Sequence, residues 1–418
     1  MIDFAKKIYP IHRSITGKGV LKTLKEIKKK IPKLKINSLN SGLKVFDWKI
    51  PPEWNIEQAY IADLRGKKIV DFKENNLRVV NYSSPINKIV SKNELLKHIH
   101  TMPNRKNSIP YITSYYKKYW GFCLKHSELK LLKEKKYKVV ISSKFNYKGK
   151  LYYGECLIKG KSKKELIIHT YICHPQLANN EISGPTVTTY LAKHFSKRAN
   201  NLSLRFIFVP ETIGAISYLK LNLDKLKDKV LGGYVITCVG DNRNYSFLET
   251  KYQNSLSNKI AKKTFKKLKI KYKKYNFLER GSDERQYNSP GINIPIASIM
   301  RTKYGMYPEY HNSDDNFSVV TKKGLMGSFN LIKKIIEKFD KTIIPISVYK
   351  CEPFLSKRKL YPTLSTGKIN KFNQGLLDFL TFCDGTNDID DISKKIRLNK
   401  IKVNQIFKIL KKNKLIYL

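Results

Sequence analysis

From residue 149 to 345 the chain alternates two patterns. Short continuous apolar runs, "ELIIHTYI", "SLRFIFVP" and "GGYVITCVG", are separated by stretches with apolar positions at helical spacing, "SGPTVTTYLAKHF" and "TIGAISYLKLN". Continuous apolar runs of this length suit strands buried on both faces, and the intervening spacing suits helices that cover them. The alternation therefore predicts an α/β domain around a largely parallel sheet. Residues 1–45 contribute one further helix-like segment, "GKGVLKTLKEIKKKI". Residues 46–148 differ in texture: short β-rich runs, Pro and Gly punctuation and the aromatic cluster "IPYITSYYKKYWGFC" predict a small inserted β-rich module. Periodicity breaks over 346–372, which reads as a linker. Residues 373–418 then give three short amphipathic helices, the second capped by Asp388 or Asp390, with the spacing of a helix-turn-helix or winged-helix module.

Composition narrows this only in part. The 418 residues exceed the usual size of one core, so two or three domains are expected. No apolar run approaches the roughly 20 residues of a membrane span. The opening "MIDFAKKIYPIHRS" lacks the charged-then-apolar build of a secretion signal, so a cytoplasmic location is expected. Cys123, Cys156, Cys173, Cys238, Cys351 and Cys383 form no Cys-x-x-Cys pair and read as reduced core residues. The formal charge of +49 comes from 82 basic against 33 acidic residues. The excess is mostly Lys spread evenly along the chain, with no basic arm, so nucleic acid is not the expected partner.

In α/β sheets, ligands bind beyond the carboxyl ends of the strands. His169 and His174 follow the first strand, and Glu211 follows "LRFIFVP". "ERGSDERQY" brings Asp283, Glu284 and Arg285; "YPEYHNSDDN" brings His311, Asp314 and Asp315. Imidazoles and carboxylates converging there suit a zinc hydrolase, in which they hold the ion while a free carboxylate takes a proton from water. Each residue also has a plainer reading. His169 closes an apolar strand and could complete a buried hydrogen bond, Glu211 could cap the helix near Ile213, and Asp283 with Arg285 could be an ion pair fixing a loop.

The segments "YPIHRSITGKGV", "VFDWKIPPEWNI", "IPYITSYYKKYWGFC", "TYICHPQLANNEISGP", "VPETIGAISYL", "TCVGD", "RGSDERQYNSPG" and "YPEYHNSDDN" resemble, in order along the chain, the M28-type zinc aminopeptidase fold. They are more closely similar to the aminopeptidase-like proteins of bacterial polysaccharide-biosynthesis loci. The resemblance implies a three-layer α/β sandwich, with residues 1–45 and 149–345 forming the aminopeptidase-like domain, 46–148 inserted in it and a winged-helix-like module at the end.

It also implies an altered site. Where working enzymes carry a bridging Asp in "NDNxSG", this chain has Asn180 followed by Glu181. Of their adjacent glutamates, "ETIG" keeps Glu211 and puts Thr212 second. Thr237 stands for another ligand Asp, and His311 matches the last ligand His. Three carboxylates have become neutral, and two dications about 3.5 Å apart would repel with little compensation. The expectation is at most one zinc ion, held by His174, Glu181 and His311, with Asp283 as an alternative third ligand; a pocket without metal is the other outcome. Glu211, Asp283 and Arg285 are the expected catalytic groups. The implied function is hydrolysis or acyl transfer at an amide or ester of a surface-polysaccharide precursor, a small-molecule or glycan-precursor substrate. The alternative is a catalytically degenerate binding or scaffold protein. A homo-oligomer is compatible with the sequence.

Overall fold

A computed structural model describes residues 1–361 and 371–417. Residues 362–370, within the expected linker, and Leu418 lie outside the described residues. Helix α1 (Lys18–Lys30) buries Val20, Thr23, Leu24 and Ile27 at three- and four-residue spacing, then leads into strand β1 (Lys35–Asn40). The chain next leaves for a separate antiparallel sheet of β2 (Glu53–Ala62), β3 (Lys68–Asp71), β4 (Ile86–Ser91) and β5 (Lys136–Asn146), in the order β3-β2-β5-β4. That sheet has its own core, in which Ile61, Val70, Phe122, Tyr137 and Val139 pack together.

The chain returns through β6 (Lys150–Ile158). With β7 (Glu165–Tyr171), β8 (Ser203–Val209), β9 (Val230–Ile236), β10 (Ser246–Leu248), β11 (Lys273–Tyr275) and β12 (Ile296–Met300) it completes an eight-stranded sheet. The order is β1-β6-β8-β7-β9-β12-β10-β11. The central β8, β7, β9 and β12 run parallel, so their carboxyl ends share one edge. Every residue of β7 is buried. Leu166 and Ile168 point into one apolar cluster with α1, α2 (Ser183–Phe195), α4 (Leu256–Lys267) and α5 (Lys322–Asp340). Ile167 points into the other, with α3 (Ile213–Lys229). The period of two along a strand thus feeds two helical layers, as the unbroken apolar runs predict. At the start of α2, a Cβ on Gly184 would stand 2.5 Å from the Ile236 carbonyl oxygen, so only glycine lets the helix sit this close to β9.

Helices α6 (Lys371–Thr381), α7 (Ile389–Lys395) and α8 (Lys400–Lys412) enclose a third core of Leu376, Phe379, Ile392, Val403, Ile406 and Leu410. Asp388, not Asp390, caps α7, accepting from the Asp391 amide. This module docks on α4 through Lys259–Asp391 at 2.9 Å and Lys263–Asp388 at 2.6 Å, leaving a cleft of about 670 Å³. Five cysteines are buried; Cys351 is exposed, against the expectation of a core residue, because it lies in the irregular connection after α5. Among the described residues no helix is long and apolar enough to cross a membrane.

Candidate active site

Beyond the carboxyl end of β7 the chain passes Cys173 and His174 and enters a π-turn, Ala178–Ile182, that runs into α2. A π-turn takes one more residue per turn than an α-turn and recurs at functional sites; here all five of its residues are buried. Asp315 holds it in place. Its carboxylate accepts the amides of Asn179 at 2.5 Å and Asn180 at 2.9 Å, and its carbonyl accepts that of Ala178 at 2.8 Å. An acid placed on the free amides of a helix start both satisfies them and complements the helix dipole.

The turn brings Glu181 back onto His174, whose Nδ1 lies 2.7 Å from Glu181 Oε2. The other imidazole nitrogen, Nε2, lies 3.6 Å from Glu211 Oε2. Arg13, fully buried, donates from Nε to the His174 carbonyl at 3.0 Å. His311 adopts a left-handed backbone, φ 58°, that turns its ring to 5.5 Å from that of His174. Tyr310 stacks on His311 at 3.9 Å. Tyr111, from the inserted module, meets both imidazoles edge-on at 5.2 and 5.1 Å, and its amide donates to the His311 carbonyl. The loop carrying Tyr111 is anchored by Arg105 and Ser108, which both donate to Asp314.

Glu211 follows β8. Ser282 Oγ donates to its Oε1 at 2.7 Å, and its side chain is 21% exposed, the rest being buried. Burial pushes that carboxyl up to about 7, against the pull of the His174 charge and with Asp283 adding to the rise. Burial opposes a charge on His174, yet Cys173 and Glu181 beside it hold the imidazole well above its ordinary range. His311 goes the other way: burial, then the charge of His174, lowers it to about 3 and keeps it neutral with a lone pair available.

Asp283 and Arg285 stand behind Glu211, not in the pocket's centre. Asp283 Oδ1 accepts the Thr212 amide at 2.8 Å, and Arg285 Nη2 donates to the Thr212 hydroxyl at 2.8 Å. Thr212 has a left-handed backbone, φ 62°, which is strained for a β-branched residue and needs such clamps. His169 Nε2 lies 2.8 Å from the remaining Asp283 oxygen, and its Nδ1 lies 3.0 Å from the Tyr287 hydroxyl. His169 therefore completes a buried network. Glu284 is likewise used inward, by the amides of Gly281 and Ser282 and the hydroxyls of Ser298 and Tyr304.

The three neutral positions are knit together differently. The Tyr171 hydroxyl bonds Thr237 Oγ1 at 2.5 Å and receives Asn180 Nδ2 at 2.9 Å, and Thr237 Oγ1 also donates to the Asn180 carbonyl at 3.1 Å. Thr212 is engaged by Arg285. Around His174, by contrast, Glu181 Oε1, Asn180 Oδ1 and His311 Nε2 are buried without a hydrogen-bond partner among the described residues. Two of these are acceptors only, and the neutral imidazole nitrogen can act as one; buried acceptors left open in one pocket fit a cation. Cys173 Sγ, a His174 nitrogen and a Glu181 oxygen lie within 4.8 Å of one another. Arg13, Tyr111, Cys173 and Ser282 were not singled out as site residues, although each lies in a family-like segment: "YPIHRSITGKGV", "IPYITSYYKKYWGFC", "TYICHPQLANNEISGP" and "RGSDERQYNSPG".

Residues 2–342 match a family described as a domain of unknown function (DUF4910), and residues 344–417 match a winged helix-turn-helix family. A polysaccharide biosynthesis protein with aminopeptidase-like domain from Clostridium acetobutylicum is 42% identical over 395 residues, 94% of this chain and 90% of that protein. A crystal structure described as a peptidase from the same organism superposes with a TM-score of 0.81 at 39% identity, covering 99% of this chain and 95% of the other. The zinc aminopeptidase BSAP from Bacillus subtilis superposes with a TM-score of 0.60 over 80% of this chain and 94% of its own, at 13% identity, a likeness of fold.

Proposed function

We propose, given that this chain belongs to the DUF4910 family and carries the aminopeptidase-like fold with a C-terminal winged helix, that it is a cytoplasmic hydrolase or acyl-transfer enzyme acting on an amide or ester of a surface-polysaccharide precursor. The observation that carries the reaction is the group of buried acceptors without partners among the described residues, beside a Glu211 side chain that is 21% exposed, at the strand ends. The substrate class is supported by the name of the Clostridium relative.

His174, Glu181 and a third donor would hold one zinc ion; the sequence points to His311 for that donor, but its ring stands 5.5 Å from that of His174 and it is not among the donors that lie within 4.8 Å of one another. Such an ion supplies Lewis-acid polarisation of a carbonyl and acidification of water. The remaining work belongs to the chain. Ser282 fixes Glu211 Oε1, which leaves Oε2 facing the pocket to take a proton from the attacking water, or from an amine in acyl transfer. The new bond forms at the carbonyl carbon, the bond to the leaving nitrogen or oxygen breaks, and Glu211 returns the proton to that atom. A carboxyl poised at about 7 can do both near neutral pH. Asp283 and Arg285 hold Thr212 and thereby aim Glu211. Tyr111 closes the pocket over the imidazoles.

Metal-free protein, resupplied with zinc, is to be assayed on sugar-linked amides and esters. Activity should depend on zinc and vanish in Glu211→Gln; activity indifferent to both removes the mechanism. A second reading, a pocket kept for binding alone, is favoured by the neutral residues Asn180 and Thr237, which bond each other and Tyr171, and by Thr212, which Arg285 holds. Zinc bound stoichiometrically and lost in His174→Ala counts against it.

A further inference from the structure

We propose that the third protein ligand of that ion is the thiolate of Cys173, which with His174 and Glu181 leaves the fourth position open beside Glu211. This rests on the metal-dependent reading above and changes the identity of one ligand. Cys173 Sγ is 3.5 Å from His174 Nδ1. Zinc bonds of about 2.3 Å to sulfur and about 2.0 Å to nitrogen, at a tetrahedral angle, place the two donors about 3.5 Å apart. Glu181 Oε2, now hydrogen-bonded to the same nitrogen at 2.7 Å, needs to move out by roughly 0.6 Å when an ion replaces the shared proton. All three donor atoms already lie within 4.8 Å of one another.

Two independent observations separate Cys173 from an ordinary core cysteine. Its sulfur accepts the Glu211 amide at 3.3 Å and lies 3.5 Å from His174 Nδ1, so it meets polar groups although its apolar cluster includes Val45 and Ile213. Next to it, Glu181 Oε1 has no partner among the described residues, on a side chain with no exposure to solvent. Charge balance agrees. Arg13 places a fixed positive charge in this buried site. A dication with Glu181 as sole anionic ligand adds a further net charge of one, whereas thiolate and carboxylate together neutralise it. Binding releases to solvent both the thiol proton and the proton shared by His174 and Glu181, as ligation by a thiolate and a neutral imidazole requires.

Full-length metal-free protein titrated with cobalt(II) provides a spectroscopic test that needs no substrate. We expect an intense near-ultraviolet sulfur-to-cobalt band in the wild type, unchanged in Cys351→Ser and lost in Cys173→Ser. Zinc affinity should fall at least about 100-fold in Cys173→Ser, beyond the 10–100-fold typical of losing an orienting neighbour. His311→Ala should keep the band. Cobalt bound with only weak visible bands overturns the thiolate and leaves the metal-dependent reading standing. No cobalt bound at all overturns both. If Cys173→Ser fails to fold, survival of the band in Cys238→Ser, the thiol beside Asn180, decides for Cys173, and its loss there overturns the assignment.

Discussion

Near the carboxyl end of β7, two histidines five residues apart each face a buried carboxylate: His169 with Asp283 at 2.8 Å and His174 with Glu181 at 2.7 Å. Both pairs are short and both are almost wholly shielded from water. They differ in what surrounds them. Each nitrogen of His169 has a partner, and both Asp283 oxygens are used, by His169 and the Thr212 amide. Around His174 the second nitrogen faces Glu211 at 3.6 Å, and three buried polar atoms stand without partners among the described residues. A saturated polar network rigidifies, whereas open acceptors cost free energy unless a ligand meets them. The first pair holds the Thr212 turn beside Glu211, and the second is where we propose that an ion binds.

Four substitutions or conditions sharpen or break that contrast. Glu211→Gln should lower turnover by about 10²–10⁴-fold, the range for a positioned acid–base group, with stability changed by less than about 1 kcal/mol. Steady-state kinetics and urea unfolding measure the two. Asp283→Ala should do the reverse of this separation, removing about 3–5 kcal/mol of stability by stranding His169 and the Thr212 amide. If it unfolds at the wild-type urea midpoint, the first pair is not structural. Asp315→Asn puts a donor against one of the π-turn amides and should cost about 1–3 kcal/mol; proteolysis near residue 180 reports any loosening. The smallest effect is that of pH. A base must be ionised to work, so with its carboxyl raised to about 7, kcat/KM should fall roughly tenfold per pH unit below 7 and level off above it. A profile flat from pH 5 to 8 would show that Glu211 is not the titrating base.

The sequence made the scaffold legible because the relevant signals are local. Unbroken apolar runs marked β7, β8 and β9, helical spacing marked α2 and α3, and the Asp388 cap lies three residues from the amide it meets. His174, Glu211 and His311 were readable as strand-end and motif residues. The rest depends on distant contacts. Tyr111 reaches the imidazoles on a loop tied to distant residues, as by Arg105 to Asp314, 209 positions away. Arg13 meets a carbonyl 161 positions on. Cys173, flanked by Ile172 and next to an apolar strand, reads as core until the Glu211 amide is seen on its sulfur. Asp283 looked like an ion-pair or catalytic acid beside Arg285; both residues instead converge on Thr212, whose left-handed backbone no spacing rule reveals.

Metal stoichiometry tests the central claim most directly, namely that the His174 pocket is a one-ion site whose second-ion ligands have become the hydrogen-bonded Asn180, Thr212 and Thr237. Zinc content of the full-length protein, reconstituted and freed of excess metal, should be one ion per chain, and none in His174→Ala. Two ions per chain, or one that survives His174→Ala, would contradict it.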